Sequence, residues 1–236
     1  MSSAKCKKCG KKKKNRVRIH SYSLPSITEK RALLILGQVA GSRGHISTAK
    51  RLKKLLMDKY FYTRVDICDG THHDNVLPTY RDFMNFIQRD QVQGLISYVG
   101  HGSQFGPDLE QWDYGPIRDK TLSYDLSKIG TDSNVIVIAD SCFSDGMLDI
   151  VNLQNDRATL GFLSSARSIG PDDTRSAMFD SEGGYMTHNL CDVLSETSTQ
   201  LQTVYERLTD RYLHLPGENL HIPMLTIIGK NKFMYV

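Results

Sequence analysis

The stretch Asn134 to Gly146, NVIVIADSCFSDG, decides the fold of this 236-residue chain. A short apolar run, Val135 to Ala139, is followed at once by small and polar residues. The run is too short for a typical helix, and apolar residues on both faces are typical of a buried central strand in a parallel sheet. Cys142 then lies just past the carboxyl end of that strand. Because ligands and catalytic groups collect at this edge of open α/β sheets, Cys142 is a candidate nucleophile.

A second stretch, GLISYVGHG from Gly94 to Gly102, supplies a base for such a cysteine. Its apolar run, Leu95 to Val99, predicts another buried strand, so His101 would project from the same edge of the sheet as Cys142. A neutral imidazole can take the thiol proton, and the thiolate is the species that attacks a carbonyl. Backbone amides near Gly102 and Cys142 could hold the developing oxyanion.

Each of these two residues also has a structural interpretation. Taken alone, Cys142 could be a buried structural cysteine and His101 a loop histidine whose hydrogen bonds are satisfied. Their joint position at two strand ends, each beside glycine or small residues, favours a catalytic pair.

The composition, 39% hydrophobic and 24% charged, is that of an ordinary globular protein, and its length predicts one α/β domain. No apolar run approaches the roughly 18 residues of a membrane span, and no signal peptide is evident at the N-terminus. We therefore expect a cytoplasmic or nuclear protein. The five cysteines are scattered, which predicts reduced thiols rather than a disulfide framework.

The positive charge is concentrated at the N-terminus. Residues 1–20 hold nine Lys or Arg and no acid, so the remaining residues carry 21 basic against 26 acidic side chains, a net charge of −5. Such a polar cationic segment cannot bury a core, and we predict a disordered tail over residues 1–25. The tail could bind an anionic partner, either nucleic acid or a membrane surface, or it could only aid solubility. Cys6 and Cys9 form half of a zinc site, which lacks a second pair within this chain.

The rest of the chain alternates between strands and helices, which predicts an α/β fold with about six mostly parallel strands and helices on both faces. Ser47 is expected to cap the first helix, and the segments 69–75, 103–134 and 167–184 are expected to be loops. His72 and His73 lie in the first of these loops, without a third metal ligand. The remaining predicted strands are Arg31–Gly37, Thr63–Cys68, Ala158–Ala166 and Pro223–Ile228, and the predicted helices are Ser47–Asp58, Pro78–Arg89, Gly184–Leu194 and Leu201–Leu213.

The motifs YVGHG, ending at Gly102, and DSCFSDG, beginning at Asp140, resemble those of the caspase-like fold and, within it, of the metacaspases among the clan CD cysteine peptidases. The resemblance spans most of residues 31–228 and implies a peptidase domain over residues 26–236. It implies His101 as general base and Cys142 as nucleophile. The reaction would form a thioester acyl-enzyme on a protein or peptide substrate, which water then hydrolyses.

The resemblance also implies cleavage after Arg or Lys through an acidic pocket. Asp140 matches one pocket acid, and a desolvated carboxylate is the expected partner of a guanidinium. The alternative is an aspartate that caps the turn following its strand. Two further pocket positions depart from the family: Thr48 stands where an acid is expected, and Val99 where a serine is expected.

A calcium site is a further implication of the resemblance, because many metacaspases bind calcium through clustered carboxylates. Asp113, Asp119 and Asp149 resemble three of those ligands, but Lys120 stands where another acid is expected, and its ammonium would repel the ion. The three residues could equally be plain surface acids. No other cofactor is required.

Two alternative functions stay open. A caspase-like pseudoenzyme could bind partners through its basic tail, and a cysteine hydrolase could act on a small amide. The intact Cys142 and His101 pair favours a peptidase, which hydrolysis of peptide substrates would distinguish from both.

Overall fold

The structure, a computed structural model, describes residues 26–37, 44–69, 73–100, 119–142, 144, 148, 153, 156–165, 179–180, 183–196, 200–214, 223–231 and 234–236. The predicted basic tail, residues 1–25, lies outside this set, so its disorder stays a prediction. His72 also lies outside it.

A six-stranded sheet forms the centre of the molecule. Its strands lie in the order β2-β1-β3-β4-β5-β8; the first five are parallel, and the last is antiparallel to β5. Every end of these strands lies within three residues of its prediction, because short, apolar, β-branched runs are bounded by polar or small residues. The strands are β1 (Glu29–Leu36), β2 (Arg64–Asp69), β3 (Val92–Val99), β4 (Asn134–Asp140), β5 (Thr159–Ser164) and β8 (Met224–Gly229).

Helices cover both faces of the sheet, as predicted. On one face α2 and α3 pack in a single apolar core, and on the other face α1, α4 and α5 form a second one. Strand β3 is buried along its whole length, since it lies inside the sheet and is covered on both sides. The helices are α1 (Gly44–Asp58), α2 (His73–Ile87), α3 (Asp119–Leu126), α4 (Tyr185–Glu196) and α5 (Leu201–Leu213).

Two helix starts differ from the predictions. Helix α1 begins at Gly44, so Ser47 lies inside its first turn and is not its cap. Helix α2 begins at His73, five residues before the predicted start at Pro78. Proline is favoured in the first helical turn, which is why a helix start is expected at Pro78. In the structure Pro78 is the sixth residue of the helix, and His73, predicted to lie in a loop, is its first residue. Among the helices that the structure describes, none is long and apolar enough to cross a membrane.

Two segments predicted as loops contain secondary structure. Helix α3 lies inside the segment 103–134 and is held by the buried Leu122 and Leu126, one turn apart. The segment 167–184 contains β6 (Phe179–Asp180) and β7 (Gly183–Gly184), which pair antiparallel and lead into α4. Both elements were missed because they are too short to show a clear hydrophobic period.

Candidate active site

The two motif-bearing strands are neighbours in register. Val99, the last residue of β3, pairs with Asp140, the last residue of β4, and the Gly100 amide donates a hydrogen bond to the Asp140 carbonyl at 3.2 Å. Cys142 follows two residues later and is a half-buried free thiol. The structure therefore places Cys142 at the carboxyl edge of the sheet, the location that the sequence predicts.

His101 and Gly102 lie outside the described residues, so their predicted roles as base and oxyanion donor stay predictions. The chain leading to them is described as far as Gly100. A Cβ added at Gly100 would lie 2.8 Å from the Gly37 Cα and 2.6 Å from the Tyr98 hydroxyl oxygen. Only glycine allows the chain ends after β1 and β3 to approach this closely, which explains the glycine before His101.

The Asp140 carboxylate is fully buried and contacts the N-terminus of α4. Its Oδ2 accepts hydrogen bonds from the Thr187 backbone amide at 2.8 Å and from the Thr187 hydroxyl at 2.9 Å. Thr187 is the third residue of α4, so the carboxylate satisfies a backbone donor that has no partner within the helix. Its charge also complements the positive end of the helix dipole. Asp140 thus caps a helix 47 residues away, whereas the sequence suggested a cap for the turn after its own strand.

Gly184 lets α4 approach this carboxylate. A Cβ at that position would lie 2.2 Å from the Asp140 Oδ2 and 2.9 Å from a methyl carbon of Val99. Burial and the negative charge of Asp140 raise the pKa of Tyr212 on α5 above its ordinary value. None of Gly184, Thr187 and Tyr212 is among the site residues predicted from the sequence. The local signal for them is the pair Gly183 and Gly184 at the start of a predicted amphipathic helix.

A small cavity lies beside the Asp140 contact and has room for about one water molecule. It is lined by residues from β1, α1, β3, β7 and the start of α4. Thr48 and Val99 both line it, so the two positions at which the sequence departs from the family come together in space. Three other polar side chains line the cavity: His45, Ser97 and Thr187.

Two further described cysteines, Cys68 and Cys191, are buried. Burial raises the pKa of the Cys68 thiol, and it raises that of Cys191 to about 12. Such thiols carry little of the reactive thiolate at neutral pH. Of the cysteines in the described part of the chain, Cys142 is the one that is partly accessible.

The suggested calcium ligands are not brought together by the described residues. Asp119 is the first residue of α3, while Asp113 and Asp149 lie outside the described ranges. Within those ranges no group of three or more His, Cys, Asp or Glu side chains could hold a metal ion. The calcium site therefore stays a prediction.

The fold is similar to solved structures although the sequence has diverged. No protein-family model and no curated protein sequence matches the chain. A protein from Geobacter sulfurreducens superposes with a TM-score of 0.62 at 13% identity, over 87% of this chain and 95% of that one. Caspase-1 from Spodoptera frugiperda superposes with a TM-score of 0.58, also at 13% identity, over 88% of this chain and 90% of that one. The chain therefore has a caspase-like α/β fold.

Proposed function

We propose that the protein is a cysteine endopeptidase related to the metacaspases, with Cys142 as nucleophile and His101 as general base. The observation that carries this proposal is the register of β3 and β4. Val99 and Asp140 are paired, and each candidate catalytic residue follows its strand end by two positions. Because Cys142 and His101 follow paired strand ends at the same edge of the sheet by the same number of residues, a nucleophile and a base within reach of each other are favoured.

In this mechanism the imidazole of His101 takes the proton of the Cys142 thiol, and the thiolate sulfur forms a bond to the scissile carbonyl carbon. The tetrahedral oxyanion would accept hydrogen bonds from the amides of Gly102 and Cys142. Collapse breaks the peptide C–N bond, and His101 returns the proton to the leaving amine. Water then hydrolyses the thioester, releasing the carboxylate product and the free thiol.

We further propose that Arg or Lys is preferred before the scissile bond and that Asp140 selects it. Among the described residues Asp140 is the one fully buried carboxylate, and it lies two residues before the nucleophile. A buried carboxylate held by two donors would bind a guanidinium or ammonium through charge-assisted hydrogen bonds. Since Thr48 and Val99 bring no charge to the adjoining cavity, the preference would rest mainly on Asp140.

The test is hydrolysis of matched fluorogenic peptides ending in Arg, Lys, Asp or Ala, with and without calcium. The wild type should cleave the Arg and Lys peptides, and Cys142→Ala should abolish the cleavage. Activity on no peptide, in either condition, would support the pseudoenzyme instead.

Specificity is tested separately with Asp140→Asn and Thr187→Val. Asp140→Asn should lower kcat/KM for the Arg peptide by about 30-fold or more, because an uncompensated charge interaction costs roughly 2 kcal/mol or more. Thr187→Val loosens the helix cap but keeps the carboxylate, so the preference for Arg over Ala should survive. An equal loss of preference in both variants would assign Asp140 a purely structural role.

A further inference from the structure

The outward side of α1 carries a mixed basic and apolar surface. Ile46, Lys50, Lys53 and Met57 are spaced by three or four residues and share one side of the helix, and Lys54 borders them. We call this set, together with the exposed Phe61 just beyond the end of the helix, the α1 face. The opposite side of α1, with Ala49, Leu52 and Leu56, is buried against the sheet.

The apolar members of the α1 face are partly or largely exposed. Ile46 is 42% exposed, Met57 41% and Phe61 78%. Phe61 follows the helix and has a φ of 60°, in the left-handed region that bulky residues rarely adopt. This conformation ends the helix: the amide of the next residue, Tyr62, donates a hydrogen bond to the Leu56 carbonyl at 2.9 Å, and the flanking Tyr60 and Tyr62 are buried while Phe61 is not. The exposed aromatic ring is therefore accessible to an external partner.

The lysines of the α1 face are available for an external partner. Lys50 and Lys54 are exposed, Lys53 is partly exposed, and within the described part of the chain none of the three forms an ion pair. Arg51, on the side of the helix nearer α4, is by contrast paired with Asp192. The only acid of α1, Asp58, lies about a quarter turn from the centre of the face.

We propose that the α1 face binds the surface of a membrane that contains anionic phospholipids. Lysines would contact lipid phosphates and carboxylates, while Ile46, Met57 and Phe61 would enter the boundary between headgroups and acyl chains. A nucleic acid would satisfy the lysines but would leave the two protruding aliphatic side chains without a partner. Residues 1–20, with nine cations and no acids, carry charge that the same anionic surface would attract.

The other side of the sheet offers a matched control. Tyr124 on α3 is 64% exposed, and the Lys128 ammonium lies 3.7 Å from the centre of its ring. This pair has one exposed aromatic and one lysine, but α3 packs in the core opposite to that of α1. Tyr124 lies in a regular helix and needs no partner to explain its conformation.

The test is co-sedimentation of the full chain with vesicles of equal parts phosphatidylcholine and phosphatidylserine, and with vesicles of phosphatidylcholine alone. Wild type and the Tyr124→Ala, Lys128→Gln control should bind the anionic vesicles with similar affinity, and binding to the neutral vesicles should be much weaker. The Lys54→Gln, Phe61→Gly variant should lose about tenfold or more in partitioning, of which the lysine contributes about fivefold. Glycine tolerates the left-handed conformation, so this variant should keep or raise the unfolding midpoint in urea.

Three results would overturn the proposal: equal binding of both double variants to the anionic vesicles, equal binding of the wild type to neutral and anionic vesicles, or no vesicle binding at all. A fourth result would favour a nucleic acid as the partner and overturn the membrane proposal. In that result, the Lys54→Gln, Phe61→Gly variant binds a single-stranded oligonucleotide more weakly than the wild type but binds anionic vesicles equally well. The proposal does not depend on peptidase activity, because every readout is binding or stability.

Discussion

Thr187 donates two hydrogen bonds to one oxygen of Asp140, and this contact joins the nucleophile-bearing strand to a helix that follows it much later in the chain. A side-chain mutation can remove the hydroxyl donor of Thr187 but not its backbone amide donor. The backbone amide is retained in any variant except proline, whereas the hydroxyl can be deleted with almost no change in volume.

Thr187→Val should therefore lower the free energy of unfolding by about 1 to 3 kcal/mol, since a hydrogen bond to a buried charged group is lost. Thr187→Ser keeps the hydroxyl and loses only a methyl group, so it should retain more of the stability. Urea denaturation measures both variants. A valine variant as stable as the serine variant would show that the hydroxyl contributes nothing to holding Asp140.

Gly184→Ala tests the close approach at the same contact. The new methyl would lie 2.2 Å from the Asp140 Oδ2, and the neighbouring Val99 leaves it no room to move aside. Overpacking of this kind costs about 1 to 3 kcal/mol, and peptidase activity should fall with it because β4 carries the nucleophile. Wild-type stability and wild-type kcat/KM in the alanine variant would contradict this geometry.

At the scale of single residues, the sequence predicts where Asp140 and Cys142 lie, but it does not predict which distant residues contact them. Both follow an obvious buried strand, so their position at the sheet edge could be predicted. The contact with Thr187 could not, because it joins residues 47 positions apart and depends on how α4 packs. The alternative suggested for Asp140, a cap, named the right kind of interaction and the wrong partner.

At the scale of elements, α4 is held at both ends by groups outside it. Asp140 caps the N-terminus, while the Lys59 ammonium donates to the carbonyls of Leu194 at 2.6 Å and Ser195 at 3.0 Å near the C-terminus. The Tyr60 hydroxyl donates to the same Leu194 carbonyl at 2.8 Å. An anion at the start and a cation at the end both complement the helix dipole.

Lys59→Met should lower the free energy of unfolding by about 1 kcal/mol, because the Ser195 carbonyl loses this donor, the Leu194 carbonyl keeps only the Tyr60 hydroxyl, and the dipole loses a cation. Lys50→Met removes a lysine from the exposed side of α1 and should change stability by no more than about 0.5 kcal/mol. Thermal or urea unfolding compares the two. Equal effects would mean that the end of α4 does not depend on Lys59.

Elements with a strong hydrophobic period were predicted well, and short or unusual ones were not. Helix α5 has the predicted bounds, since its buried residues Leu201, Val204, Leu208 and Tyr212 recur at helical spacing. Helix α3 has only eight residues, and helix α2 begins before its proline, so neither start follows from the local rules. The pairing of β6 with β7 involves two residues on each strand and leaves no pattern in the sequence.

At the scale of the whole molecule, the two apolar cores bury several tyrosines, and three of them have strongly raised pKa values. Burial raises the pKa of Tyr62, Tyr80 and Tyr212 above the ordinary value near 10. Above that pH an unfolded chain loses phenolic protons that the folded chain retains. Folding stability from these groups is therefore fully present below about pH 10 and is lost as the pH rises further.

The free energy of unfolding should accordingly fall between about pH 10 and about pH 11, by up to about 4 kcal/mol per pH unit if all three groups contribute. Tyr212→Phe should reduce that slope by up to about 1.4 kcal/mol per pH unit. Urea denaturation across this range measures it. Stability that stays constant to about pH 11, or a slope that Tyr212→Phe leaves unchanged, would contradict the assignment.

The six strands of the main sheet, their mostly parallel arrangement and the two-sided helix packing all follow from the alternation of elements in the sequence. Strand order does not follow in this way, because it depends on which crossover connections pack best. The pairing of β3 with β4, on which the proposed site rests, is a property of the whole sheet.

The most direct test of the proposed function is covalent trapping with a peptidyl acyloxymethyl ketone that ends in Arg, followed by peptide mapping. We expect one adduct on Cys142, none on the buried Cys68 or Cys191, and labelling at least about 100-fold slower in His101→Ala. No adduct on Cys142, or labelling at the same rate without His101, would contradict the catalytic pair.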